Sequence, residues 1–316
     1  EAGTRGADRR ARVATHAMSD ARHDRLDTTA IALLLACCAL WGLNQVAAKV
    51  ALAEVPPLTQ VALRSGVAAL LVLAWARWRG IALFERDGTL RGGLLAGVLF
   101  AAEFACIYLG LQFTSASRMV VFLYLSPFVV AALMPLVARG ERIGAAQWAG
   151  LSVAFAGVAW AFAEGFAPDA QAPPRQWLGD MLGIAAALLW SASTLAIRGT
   201  RLAGAVAEKT LLYQLAVSAL GLGAAAALAG ERWPGAWSAT ALGSLAFQAV
   251  IVTFASYLTW FWLVRHYPAT RLAAFTLLTP VFGLAAGVLL LAEPLTLRLV
   301  VALAAVVAGL VLVNRR

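Results

Sequence analysis

The sequence is poor in charge: 13% of its 316 residues are Asp, Glu, Lys or Arg, against about 25% in a typical soluble domain. A chain of this length would otherwise suggest two water-facing domains, and too few charges are present to coat them, which argues against a soluble enzyme or a nucleic-acid-binding domain. Cysteine is scarce too. Cys37, Cys38 and Cys106 lie in apolar runs with no CxxC or Cys/His spacing, so no disulfide scaffold or metal centre can be read, and no cofactor is expected. His16, His23 and His266 all fall outside those runs, which leaves no intramembrane histidine relay. Gly92-Gly93 with Gly97, and Gly221 with Gly223, precede no basic or hydroxyl pair, so they suit close helix packing rather than phosphate binding.

What is present is apolar: 62% of residues are hydrophobic and the mean hydropathy is +0.80. A membrane-spanning helix needs about 20 mostly apolar residues. Runs that meet this occupy about 30–53, 58–78, 92–113, 118–138, 145–163, 179–197, 206–229, 239–264, 270–292 and 296–313. They predict an all-α membrane protein with ten transmembrane helices. The chain begins at Glu1 and its first methionine is Met18, so residues 1–17 are set aside from fold reasoning. The expected divisions are a leader over 1–29, a first half over 30–163, a connection over 164–178 and a second half over 179–316.

Basic residues set the direction. With the N-terminus cytoplasmic, nineteen of the 25 Lys and Arg fall on that side. Arg118, Arg175, Arg232 and Arg298 fall on the other, while Lys49 and Arg64 lie within spans. The asymmetry predicts both termini in the cytoplasm and the 164–178 connection on the opposite, periplasmic side.

The two halves share their punctuation. Trp41 is followed at +3, +4 and +8 by Asn44, Gln45 and Lys49, and Trp190 at the same offsets by Ser193, Thr194 and Arg198. Arg118 precedes Ser126-Pro127 as Arg271 precedes Thr279-Pro280, and Glu141 precedes Gly157 as Glu293 precedes Gly309. With five helices in each half, the second copy enters the membrane upside down. Inverted repeats of this kind are a transporter architecture, with the substrate near the midplane between the halves.

Trp41-Gly42-Leu43-Asn44-Gln45 with Lys49, the Ser126-Pro127 and Thr279-Pro280 pairs, and the Gly140-Glu141-Arg142 turn resemble the EamA family of the drug/metabolite transporter superfamily. Within it the chain looks most like the YddG-type amino-acid exporters. The resemblance covers about residues 30–313. It implies ten helices in two inverted EamA repeats around a central cavity, moving small metabolites and commonly exporting amino acids. The sequence departs from the pattern at Glu293-Pro294, where the usual basic residue after Glu is missing; lying in a loop, the departure puts little in doubt about the cavity.

Several residues could carry transport. Glu103, alone among carboxylates in sitting near mid-span, would face a substrate ammonium, act as a protonatable coupling group, or bond a neighbouring helix through a group such as Arg64. Thr253, Ser256, Tyr257 and Trp260 share one helical face, suited to a pore wall or to an interfacial aromatic belt with interhelical hydrogen bonds. Trp41, Asn44 and Gln45, like Trp190, Ser193 and Thr194, form polar stripes that must avoid lipid. Ser126 and Thr279 complete the cavity set. Pro127 and Pro280 would kink their helices, freeing the carbonyls of Leu123 and Thr276. Arg64 and Lys49 form a second tier: Arg64 as partner for a substrate carboxylate, Lys49 as a cation that snorkels to the interface, with Arg198 as its counterpart.

The expected function is therefore a non-enzymatic secondary transporter exporting small polar metabolites, amino acids first, by alternating access between helices 1, 3, 4, 6, 8 and 9. Its partners would be a small-molecule substrate and the bilayer, and no nucleic acid. No ATP-binding motif is present, so uniport and proton antiport are both open. A monomer is expected, with a dimer left open. Import, another metabolite class such as a sugar, nucleoside or phosphorylated compound, and an integral membrane enzyme are the rival readings.

Overall fold

The computed structural model describes residues 27–137, 144–164, 175–232, 235–267, 272, 275–276 and 278–314, so Gly140-Glu141-Arg142 and 268–271 lie outside the described residues. Every described element is helical. In chain order they are α1 (Thr28–Ala51), α2 (Pro57–Trp78), α3 (Leu90–Gly110), α4 (Ala116–Leu123), α5 (Ser126–Val137), α6 (Ala145–Glu164), α7 (Gln176–Gly199) and α8 (Ala207–Leu228). Then α9 (Ala239–Ala246) runs through a π-helical segment (Phe247–Ser256) into α10 (Tyr257–His266), followed by α11 (Leu278–Leu291) and α12 (Leu297–Asn314). Among the described residues seven helices are long and apolar enough to cross a membrane: Thr28–Ala51, Pro57–Trp78, Leu90–Gly110, Ala116–Leu133, Gln176–Gly199, Ala207–Leu228 and Ala239–Leu263. Trp148–Ala161, Leu278–Leu291 and Leu297–Gly309 are shorter apolar helices.

Local chemistry sets the helix ends. Asp27 accepts from the Ala30 amide at 2.7 Å, Ser115 from Arg118 at 3.1 Å and Ser238 from Ala241 at 3.1 Å, each satisfying a first-turn donor that has no partner within its helix. Pro57 opens α2, where its missing N–H is harmless. Gly80 (φ 67°) and Gly230 (φ 70°) close α2 and α8 in the left-handed region. Behind them the Ile81 amide returns to the Ala76 carbonyl and the Glu231 amide to that of Ala226. The same stop thus recurs 150 positions apart.

The repeat mates α2 and α8 pack antiparallel. Glu231, just past α8, accepts from the Leu58 and Thr59 amides at 3.1 and 2.7 Å in the first turn of α2. At the other end Lys209, in the first turn of α8, donates to the Glu85 carbonyl and to Asp87 at 2.9 and 2.8 Å. The mates α6 and α12 also meet, each seating its neighbour on the shared glycine. A Cβ on Gly157 would strike Ala305, and one on Gly309 would lie 2.5 Å from the Gly150 carbonyl. The helices α1 and α11 also come close, with a Cβ on Gly42 only 2.5 Å from the Gly283 backbone nitrogen.

Two sequence expectations change in detail. The 118–138 run starts at Ala116 and is interrupted at Tyr124 and Leu125, so Pro127 stands just inside a new helix rather than at a bend within one. Around the break the Leu125 amide reaches back to Phe122 and that of Phe128 to Leu125, shorter loops than an α-helix makes. Pro280 lies within α11.

Candidate functional site

A polar network lies where α1, α2, α3 and the π segment converge, all of it buried. Arg64 is 1% exposed, and its guanidinium sits over the Phe104 ring at 3.9 Å. Its Nη1 donates to the Tyr108 hydroxyl at 3.1 Å. That hydroxyl donates to Gln248 Oε1 at 2.6 Å. The Gln60 amide nitrogen, one turn before Arg64, donates to the Ala48 carbonyl at 3.1 Å and to the same Gln248 oxygen at 3.4 Å. The π segment matters for this register. Wider turns place Gln248 and Thr253, five apart, together on the buried side.

In this network Arg64 Nε and Nη2, Gln60 Oε1 and Gln248 Nε2 have no hydrogen-bond partner within the protein, and on the buried faces of the same helices neither do Thr253 Oγ1, Asn44 Oδ1 and Gln45 Oε1. Glu103 is 5% exposed, and among the described residues it makes no hydrogen bond and no ion pair. It stands within electrostatic reach of Arg64, Cys106 and Tyr257.

Beside this network the predicted aromatic wall assembles. Trp41 Nε1 donates to Ser256 Oγ at 2.9 Å, and Ser256 donates in turn to the Val252 carbonyl. The Trp41 ring meets Tyr257 and Trp260 edge-on, with centroids 6.5 and 5.4 Å away. The remaining predicted residues are engaged elsewhere. Ser126 accepts from Ser191 at 3.0 Å, Ser193 accepts from Gln214 at 3.2 Å, and the Thr194 hydroxyl bonds the Trp190 carbonyl of its own helix. Trp190 packs edge-on against Tyr124 with centroids 6.0 Å apart. Thr279 is buried with an unpartnered hydroxyl.

Two cations read as interfacial are tied into the protein. Lys49 does not snorkel: it donates to the Thr114 carbonyl and lies 3.7 Å from Glu293. Glu293 accepts from the Ala116 and Ser117 amides and the Ser117 hydroxyl at 2.7, 2.9 and 2.6 Å, so the Glu293 loop anchors the start of α4. Gly287 leaves room for that clasp, since any Cβ there would collide with Ser117 and Glu293. Arg118, assigned to the outer side, forms a buried pair with Asp180, with Nη2 to Oδ2 at 2.5 Å and Thr114 bonding the same carboxylate.

Sequence reasoning missed Gln60, Tyr108, Gln248, Asp180 and the anchoring role of Glu293. Gln60 carried a usable signal, lying four residues before Arg64 on one face of an apolar helix. Two surface hollows are outlined, and neither reaches the centre. One, of about 300 Å³, is lined by residues of α1, α9, the π segment and α11 such as Val46, Ala47, Gly243, Phe247 and Leu290. The other, of about 520 Å³, lies among Gly88, Arg91, Thr200 and Arg201.

The model of the EamA-like transporter family matches residues 28–163 and again 177–315. An uncharacterized transporter of Bacillus subtilis, YvbV, is 29% identical over 92% of this chain and 94% of its own length. An uncharacterized protein of Pseudomonas aeruginosa is 32% identical over 81% and 82% of the two chains. A probable amino-acid metabolite efflux pump of Escherichia coli is 27% identical over 84% and 87%. A solved crystal structure superimposes with a TM-score of 0.63 at 21% identity, over 90% of this chain and 97% of its own, a likeness of fold alone.

Proposed function

The chain belongs to the EamA-like transporter family, and from that premise we propose that it is a secondary transporter exporting small polar metabolites, amino acids first, by alternating access. In this reading it is a bacterial inner-membrane protein with ten transmembrane helices in two inverted five-helix repeats and both termini cytoplasmic. The antiparallel run of α2 against α8 supports the inversion, and the excess of Lys and Arg on one side supports the direction.

One observation carries the proposal: the unpartnered polar atoms gathered from both repeats at Asn44, Gln45, Gln60, Arg64, Gln248 and Thr253. Each orphaned buried group costs about 1–3 kcal/mol. A bundle selected for packing alone would fill such positions with apolar side chains. Groups kept at that expense are suited to exchanging partners with water and solute as the halves rock. The name printed for the Escherichia coli relative favours amino acids over sugars or phosphorylated compounds.

Trp41, Tyr257 and Trp260 would supply faces for a substrate ammonium, with Glu103 as its counter-charge or as a proton carrier. The test is reconstitution into liposomes with labelled amino acids and sugars, with and without a pH gradient. Counterflow of amino acids is expected; flux of sugars alone would overturn the substrate class, and no flux of any solute would overturn the transporter reading. If Glu103 carries protons, Glu103→Gln abolishes acceleration by the gradient. Unchanged pH dependence leaves Glu103 with the ammonium role alone.

A further inference from the structure

We infer that Arg64 presents a two-point carboxylate receptor, so that the substrates are molecules with a free carboxyl group beside an ammonium. The inference rests on the transporter reading and adds the substrate chemistry. A guanidinium binds carboxylate best through two parallel N–H donors on one edge. In Arg64, Nη1 is committed to Tyr108, while Nε and Nη2, the pair forming the side-on edge, are buried without a partner. The plane cannot swing freely, because Phe104 lies against its face at 3.9 Å. The chain behind it fixes the donors further. Tyr108 donates to Gln248 Oε1, which leaves Gln248 Nε2 as a third donor without a partner.

The surroundings exclude other anions. A phosphate dianion calls for several cations, and within the described centre Arg64 is the one basic side chain, Lys49 being held by Glu293. Glu103 within electrostatic reach opposes a dianion and suits an ammonium. One guanidinium edge and one carboxylate match a zwitterion. Tyr108 and Gln248 are then positioning residues, acting through Arg64.

The experiment uses the full chain in lipid nanodiscs and equilibrium binding of matched probes: L-leucine, L-phenylalanine and L-threonine, each beside its decarboxylated amine. For any amino acid that binds, the amine is expected to bind at least about tenfold more weakly. Arg64→Gln should erase that discrimination, and Arg64→Lys, which keeps charge without the fork, should not restore it. Tyr108→Phe should weaken the amino acid while leaving the amine unchanged. An amine binding as tightly as its amino acid overturns the receptor, as does Arg64→Gln retaining the preference, or failure of all three amino acids to bind. The wild-type comparison decides even if a variant does not fold. Carboxyl-dependent binding without liposome flux would sink the transporter reading alone. Flux indifferent to the carboxyl would sink the receptor alone.

Discussion

The two repeats share a scaffold and differ in chemistry. Gly80 and Gly230 stop equivalent helices in the same left-handed turn, and Gly157 and Gly309 seat equivalent contacts. At the centre the equivalence fails. The position of Arg64 in α2 is taken in α8 by Gln214, which is satisfied by a neutral bond to Ser193, itself the mate of Asn44. The position of Glu103 is taken by Ser256, which is satisfied by Trp41. At these two positions the second copy holds neutral groups with partners, and the first holds two ionisable groups with free hydrogen-bonding capacity. In the proposed transport cycle, backbone symmetry would let the halves exchange conformations, whereas recognition of a charged solute would need both of its partners in one place and has no reason to be duplicated.

The sharpest way to break this comparison is to neutralise the first copy until it matches the second. Arg64→Gln combined with Glu103→Ser should lower initial-rate counterflow of the preferred substrate by about tenfold or more, whereas Gln214→Ala should stay within about threefold of wild type. Equal losses from the two changes would show that the pathway is chemically symmetric after all.

Next in size is the Arg118–Asp180 pair, which ties the repeats together near α4 and α7. Removing one partner of a buried pair costs about 3–5 kcal/mol, because the survivor keeps its desolvation without compensation. Asp180→Ala should therefore depress thermal unfolding in detergent sharply, and a loss below about 1 kcal/mol would mean that Arg118 finds water instead.

Much of the scaffold was legible because a membrane demands it. Long apolar runs reveal the helices, helical spacing placed Ser256, Tyr257 and Trp260 on one face, and all three lie with Trp41. The polar network was less legible, since a polar residue in an apolar run announces itself but not its partner. Gln60 and Gln248 are 188 positions apart and Arg118 and Asp180 are 62 apart, distances over which no local pattern reaches. Nothing in Phe247–Ser256 signals wider turns, so Gln248 could not be aligned with Thr253 from a 3.6-residue period. Lys49 and Arg118 were misread for one reason: a cation near a helix end escapes to water unless a carboxylate from the other repeat intercepts it, and those carboxylates come from Glu293 and Asp180.

The shared scaffold makes a prediction of equality. Gly80→Ala and Gly230→Ala each force a Cβ into the left-handed region at about 1–2 kcal/mol, and nothing within 4 Å of either position would add a clash. The two variants should lose the same stability in chemical or thermal unfolding, within about 0.5 kcal/mol. A larger gap would mean that the equivalent stops carry unequal loads in the two copies.

The smallest expected effect separates the two rims. The start of α2 is held by Glu231 through backbone amides and the Thr59 hydroxyl, whereas the start of α8 is held by an ion pair between Lys209 and Asp87. The Lys209 ammonium, with the Thr89 hydroxyl helping, holds the Asp87 carboxyl well below its usual range. A depressed carboxylate contributes stability above its unfolded value, near about 3.9, and loses it as pH falls towards the folded one. The melting temperature should thus show no pH dependence from this pair between about pH 5 and 8, where its contribution is fully present, and a decline below about pH 4. Asp87→Asn should remove part of that acid decline and change neutral-pH stability little, because the pair is partly exposed and screened. If wild type and variant lose stability in parallel below about pH 4, the acid sensitivity of this rim lies elsewhere, and the two ends of the α2–α8 pair are held by ties of the same kind.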